Sequence, residues 1–293
     1  MIFSKVSSRV AAAGAATLVA GSAAAEGQLP ELPFLGVPHA GGISFQNPVT
    51  SLAREVVFLD NMLLWIITPI TLFVTGLMIW VIVFHNRKAN PEPARFTHNT
   101  PIEIAWTVVP ALILVFIGIF TFPALRYQQV MPEADVTIKT TGYQWYWGYE
   151  YVDHGVEFSS FMLERDELAD YGYTDDLYLL ATDTAMVVPV GRNIVVQVTA
   201  ADVIHAWAMP AFGVKQDGVP GRLAELWFNA EEEGVYFGQC SELCGINHAY
   251  MPITVKVVSE AEYIAWLERQ GADFAQQPPL PGWTPEVQLA ATE

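Results

Sequence analysis

Residues 62–84 read MLLWIITPITLFVTGLMIWVIVF, 23 consecutive residues without a formal charge. As a helix rising 1.5 Å per residue, that run crosses a hydrocarbon core of about 30 Å. Residues 104–125, IAWTVVPALILVFIGIFTFPAL, form a second uncharged run of 22. Two buried core helices are the alternative, but helices inside water-soluble proteins are usually shorter. The sequence therefore predicts a two-helix transmembrane hairpin over 57–126, its first helix starting near Asp60. Pro69 and Pro110 fall inside the spans. Membrane helices tolerate proline when neighbouring helices satisfy the freed backbone groups, which points to packing against other spans.

The flanks orient the hairpin. Arg87, Lys88 and Arg95 crowd the loop between the spans, whereas Arg54 is balanced by Glu55 and Asp60 ahead of the first. The loop is expected on the cytoplasmic side. At the N-terminus Lys5 and Arg9 precede the apolar run Ala11–Ala20, and Ala23-Ala24-Ala25 supplies a cleavage pattern. Residues 1–25 thus read as a signal peptide, with an uncleaved anchor as the alternative. Both routes agree in putting the two termini outside. Residues 26–56 hold Pro30, Pro33, Pro38, Gly36, Gly41 and Gly42 with no sustained helical or strand period, and read as an ordered or semi-ordered lead-in.

Charge divides the chain. Residues 1–126 carry seven Lys/Arg and six Asp/Glu, net +1, while residues 127–293 carry seven and 25, net −18. The exported part repels nucleic acid and attracts basic proteins, or simply stays soluble. Beyond Arg126 the pattern turns to short β-rich runs: 136–141, 144–152, 177–188, 193–199, 222–228 and 253–258. Turn signals such as Asp153-His154-Gly155 and Asp217-Gly218-Val219-Pro220-Gly221 separate them. Many short strands without alternating helices predict a β-sandwich or barrel over 127–271. Ser259 followed by Glu262 forms a capping box for one closing helix, ended by Gly271. The tail, 272–293, with four prolines from Gln276 on, reads as extended or disordered.

Both cysteines lie in one stretch, Gly238-Gln-Cys240-Ser-Glu242-Leu-Cys244-Gly-Ile-Asn-His248-Ala-Tyr-Met251, and His205 lies in another β-rich run, Val203–Trp207. An exported Cys-x3-Cys is first of all a disulfide. Thiolate, imidazole and thioether together instead select copper. A closed zinc site leaves Met251 unexplained. A mononuclear blue-copper site leaves one cysteine over. Two thiolates bridging two copper ions use both cysteines, with one histidine on each ion and Met251 and a carbonyl oxygen, that of Glu242, in the weak positions.

At this point the sequence resembles subunit II of bacterial haem–copper cytochrome c oxidases, across essentially the whole chain after residue 25. The resemblance implies a cupredoxin-like Greek-key barrel with a dinuclear copper centre on His205, Cys240, Glu242, Cys244, His248 and Met251. It implies that electrons arrive from cytochrome c near Trp145, within the run Tyr143–Glu150, and pass to haem in subunit I, where oxygen reduction is coupled to proton translocation. It further implies docking acids at Glu150, Asp183 and Asp202. Glu242 would share a magnesium or manganese ion with subunit I, and Glu103 would stand at the mouth of a proton path. Placement in the bacterial inner membrane follows, with the copper domain periplasmic. Two other readings compete: an exported thiol-redox or copper-delivery protein using Cys240 and Cys244, which β-rich surroundings disfavour, and the similar copper domain of nitrous oxide reductase, which two spans disfavour.

Overall fold

The computed structural model describes residues 29–272, 274 and 278–283. The expected signal peptide and most of the expected tail lie outside these residues. The chain forms two compact units, one built from Glu55–Gln129 and the other from the residues on either side of it.

The first unit is helical. Helix α1 runs Ser51–Phe84 and α2 runs Thr100–Gln129. Their apolar side chains face outward, with Leu72, Phe73 and Leu114 each about two-thirds exposed. Only a lipid or protein environment accommodates so large an apolar surface. The Phe58 and Phe120 rings meet at 6.0 Å between the helices. At the start of α2, the Asn99 side chain accepts from the Ile102 amide while Glu103 Oε1 accepts from the Asn99 amide at 3.0 Å, a reciprocal cap.

Helix α1 starts earlier than its hydropathy suggests, because its first turn belongs to the other unit. Thr50 Oγ1 accepts from the Ala53 amide at 2.9 Å and donates to the Phe212 carbonyl at 2.7 Å. Leu52 is buried with Val195 and Trp227, and Arg54 reaches Glu231 through two bonds, 2.8 and 2.6 Å. The helix therefore continues through charged residues that a search for uncharged runs excludes.

The second unit contains β1 (Phe34–Gly36), β2 (Val136–Tyr143), β3 (Tyr146–Tyr151), β4 (Val156–Ser160), β5 (Met186–Pro189), β6 (Ile194–Ala200), β7 (His205–Met209), β8 (Val214–Gly218), β9 (Ala224–Phe228), β10 (Gly234–Gln239), β11 (Pro252–Val258) and helix α3 (Glu260–Arg269). They make sheets ordered β1-β10-β11-β5 and β4-β3-β2-β6-β9, with β7 and β8 as a separate hairpin. The hairpin bridges the sheets: β7 lies against β10 and β2, β8 against β9 and β6. Among the described residues the domain closes by this bridge and by packing rather than by one continuous ladder. This is the all-β, cupredoxin-like arrangement that the resemblance implied.

Burial alternates residue by residue along β2 and β3, as one-sided strands require. Trp147, Tyr149 and Tyr151 thereby point into a core shared with Val187, Trp207, Tyr236 and Ile253. Three details differ from the sequence expectation. The lead-in supplies β1, paired in parallel with β10. Strands β4, β8 and β10 were not foreseen as strands. Residues 177–188 form only β5 at their end, Asp175–Leu177 being a 3-10 turn. Ser259 does cap α3, accepting from the Glu262 amide.

Candidate metal centre

The ends of β7 and β10 and the start of β11 converge at one end of the β unit. His205 opens β7; Cys240 follows β10; Cys244 and His248 sit on the connecting loop; Met251 precedes β11. Their donor atoms form a row. His205 Nδ1 lies 3.9 Å from Cys240 Sγ, which lies 3.9 Å from Cys244 Sγ, which lies 3.5 Å from His248 Nδ1. Cys244 Sγ is also 3.5 Å from Met251 Sδ, and Cys240 Sγ is 3.4 Å from the Glu242 carbonyl oxygen. Both cysteines are free and buried. His205 and Met251 are buried as well, and His248 is half-buried.

Electrostatics distinguish the two thiols. Burial opposes ionisation of Cys240, but hydrogen bonding to His205 and to the backbone at Glu242 and Ala206 outweighs it and draws the thiol below its ordinary value. Burial, and then the charge on Cys240, push Cys244 up. Two adjacent anions without a cation between them repel, so the pair favours a positively charged ligand. Thiolates, imidazoles, a thioether and a carbonyl fit copper as a donor set. His205, Cys240 and Cys244 have donor atoms within 4.8 Å of one another, close enough to share an ion.

Neighbours hold this row in place. The Ser241 amide bonds the Ala206 carbonyl at 3.0 Å, tying the loop to β7. Trp147 donates to the Met251 carbonyl at 3.2 Å and packs edge-on to the His205 ring. Gly142, on β2, leaves room for that ring: a Cβ there would stand 2.8 Å from it. Trp145 sits half-buried in the turn between β2 and β3. Its indole donates to the Cys244 carbonyl at 3.3 Å, and the Gln144 amide group donates to the same oxygen at 2.8 Å. The sequence did not single out Gly142, Gln144 or Trp147. Their roles depend on contacts with distant residues, and only the aromatic character of the 143–150 run hinted at one of them.

The remaining residues are more dispersed. Glu150 is paired with Lys139 at 2.7 Å. Asp183 accepts from the Phe161 amide at 2.8 Å, and burial raises its pKa against that bond. Asp202 Oδ1 is 2.9 Å from His205 Nε2. The Glu242 side chain is half-exposed on the ligand loop, beside the exposed Leu243 and Ile246. Glu103 belongs to the helical unit, where it caps α2.

Comparison with known proteins shows the family. The family model described as the periplasmic domain of cytochrome c oxidase subunit II matches residues 136–258, and the one described as its transmembrane domain matches residues 38–124. Cytochrome c oxidase subunit 2 of Cereibacter sphaeroides is 55% identical over 285 residues, covering 92% of this chain and 94% of the relative. A probable cytochrome c oxidase subunit 2 of Rickettsia bellii is 45% identical over 235 residues, 80% of this chain and 86% of the relative. The crystallised periplasmic domain of cytochrome oxidase subunit II from Bradyrhizobium japonicum is 52% identical, covers 48% of this chain and 97% of that one, and has a TM-score of 0.44. With this identity running through the helices and the β domain alike, the chain belongs to the cytochrome c oxidase subunit II family.

Proposed function

We propose that Cys240 and Cys244 bridge two copper ions in this oxidase subunit, with His205 and His248 at the two ends and Met251 and the Glu242 carbonyl as weaker donors. The observation that carries the reading is the row from His205 through both free thiols to His248. A disulfide would need sulfurs about 2.05 Å apart. Bound there, copper would supply one-electron chemistry between cytochrome c and the haem of subunit I, where oxygen is reduced. The chain itself contributes binding and orientation and performs no bond chemistry.

Trp145 is the proposed electron entrance, supported by its half-exposed ring and its hydrogen bond to the Cys244 carbonyl. Exposed Leu243 and Ile246 give the ligand loop an apolar rim suited to a protein neighbour. The Glu242 carboxylate is the proposed oxygen ligand of a magnesium or manganese ion shared with subunit I, in keeping with the preference of hard cations for carboxylates. Loss of the bound manganese resonance in Glu242→Gln would support that role, and an unchanged resonance would refute it. Glu103 is proposed at a proton-path mouth on the cytoplasmic side, since the basic residues of the α1–α2 loop place that end inward. The β domain then faces the periplasm of a bacterial inner membrane.

Copper analysis with electron paramagnetic resonance on the assembled oxidase tests the centre. Two copper ions held by this chain, counted beyond any copper of the partner subunit's haem–copper site and sharing one unpaired electron when oxidised, are expected. One copper per chain, or a Cys240–Cys244 disulfide with none, rejects it.

A further inference from the structure

Asp202 stands out because its contacts do not suit a residue serving only as surface charge. Its side chain is about one-third exposed, yet both oxygens are engaged. Oδ1 lies 2.9 Å from His205 Nε2 and accepts from the Val203 amide at 2.6 Å. Oδ2 accepts from the Gln144 amide at 2.7 Å. The imidazole of His205 is fully buried. Its Nδ1 is the nitrogen turned to Cys240, so Nε2 is left to carry the proton and donate it to Asp202.

From this geometry we infer that Asp202 is a positioning residue: it fixes the tautomer and tilt of His205, lowers the reduction potential of the copper pair, and anchors the turn that carries Trp145. The inference rests on the dinuclear reading above. A histidine ligand held by a carboxylate is a stronger donor and more firmly oriented than one facing an apolar wall. An anion beside the ligand also favours the more positive, oxidised state of the centre. The second oxygen extends the effect. Through the Gln144 amide, Asp202 holds the residue whose side chain bonds the Cys244 carbonyl, the acceptor that Trp145 also uses. Asp202, His205, Cys240, Cys244 and Gln144 therefore close a ring of contacts. The proposed electron entrance and the two thiols are parts of one network, with the carboxylate as its outer link.

Asp202→Asn in the assembled oxidase is the test, because it keeps the shape and one acceptor oxygen while removing the charge. Expected are two copper ions per chain, a raised reduction potential, and an altered exchangeable imidazole proton in electron–nuclear double resonance. A slower, more weakly salt-dependent reaction with cytochrome c would follow from lost surface charge alone, so these two signatures decide. Full copper with potential and proton signal unchanged overturns the inference. Failure of the parent protein to hold two copper ions overturns the dinuclear reading instead. If the Asn variant loses copper, Asp202→Glu is measured next: a restored centre supports carboxylate positioning, and equal loss in both variants rejects it in favour of a demand for shape.

Discussion

At the scale of single residues, the candidate ligands were legible because their chemistry is written in residue type and spacing. The residues that seat them were not, because a glycine reveals nothing about a ring that folding brings beside it. Gly142 is the clearest case. Strand β2 pairs with β3 on one side and β6 on the other, so its backbone cannot readily yield to an added methyl group. Gly142→Ala would place a Cβ 2.8 Å from the His205 ring and drive the imidazole off its line to Cys240. We expect copper retention against a chelator to fall by about 10- to 100-fold, the usual cost of disturbing a ligand's support. Retention equal to the parent would reject the seating role. Trp145 offers a contrasting outcome: Trp145→Phe keeps ring volume but loses the bond to the Cys244 carbonyl. Electron transfer from cytochrome c should slow while the optical spectrum of the centre persists, and unaltered stopped-flow kinetics would exclude it as the entrance.

Among the elements, strands with branched or alternating residues, such as β2, β6, β9 and β11, were readable. Those stabilised by distant pairing were obscure. Strand β10 follows Glu231-Glu232-Glu233 and contains two glycines, and it owes its strand state to β1 and β11 on its flanks. The start of α1 was hidden similarly, since Arg54 is tied to Glu231, 177 positions away in sequence. Local capping signals fared better. Ser259 caps α3, whose Trp266 packs on Tyr151 at 5.0 Å between ring centres. Ser259→Ala should cost about 1 kcal/mol, read as an earlier denaturant midpoint with the copper spectrum unchanged; an unmoved midpoint would mean that packing alone fixes the helix. At α2, Glu103 has a structural duty that the sequence reading did not foresee. Glu103→Gln retains an acceptor for the Asn99 amide but cannot exchange a proton. Normal assembly with reduced oxidase turnover is expected, and full turnover would leave Glu103 as a cap alone.

For the whole molecule, the division of charge was plain in the sequence, but its local arrangement was not. Of the acids implied for docking, Glu150 is paired with Lys139, whereas Asp202 keeps its charge while accepting from His205. With Asp183 they are three of the 25 acids in residues 127–293, so most of the outward field comes from the others. The segment 164–176 is one source: six acids, all exposed, with Arg165 tied to Asp175. A field spread over many exposed charges acts at long range and is screened over about 10 Å at 0.1 M salt. Two consequences separate this from docking by a few privileged acids. Raising ionic strength from low to physiological should slow the second-order reaction with a basic cytochrome c by on the order of tenfold or more. Neutralising Glu150 alone should change that rate little, since it alters one charge among the 25 acids of residues 127–293. Stopped-flow rates across a salt series decide: a flat series would show that the acidic surface serves solubility, and a collapse in Glu150→Gln at fixed salt would return the leading role to that single carboxylate.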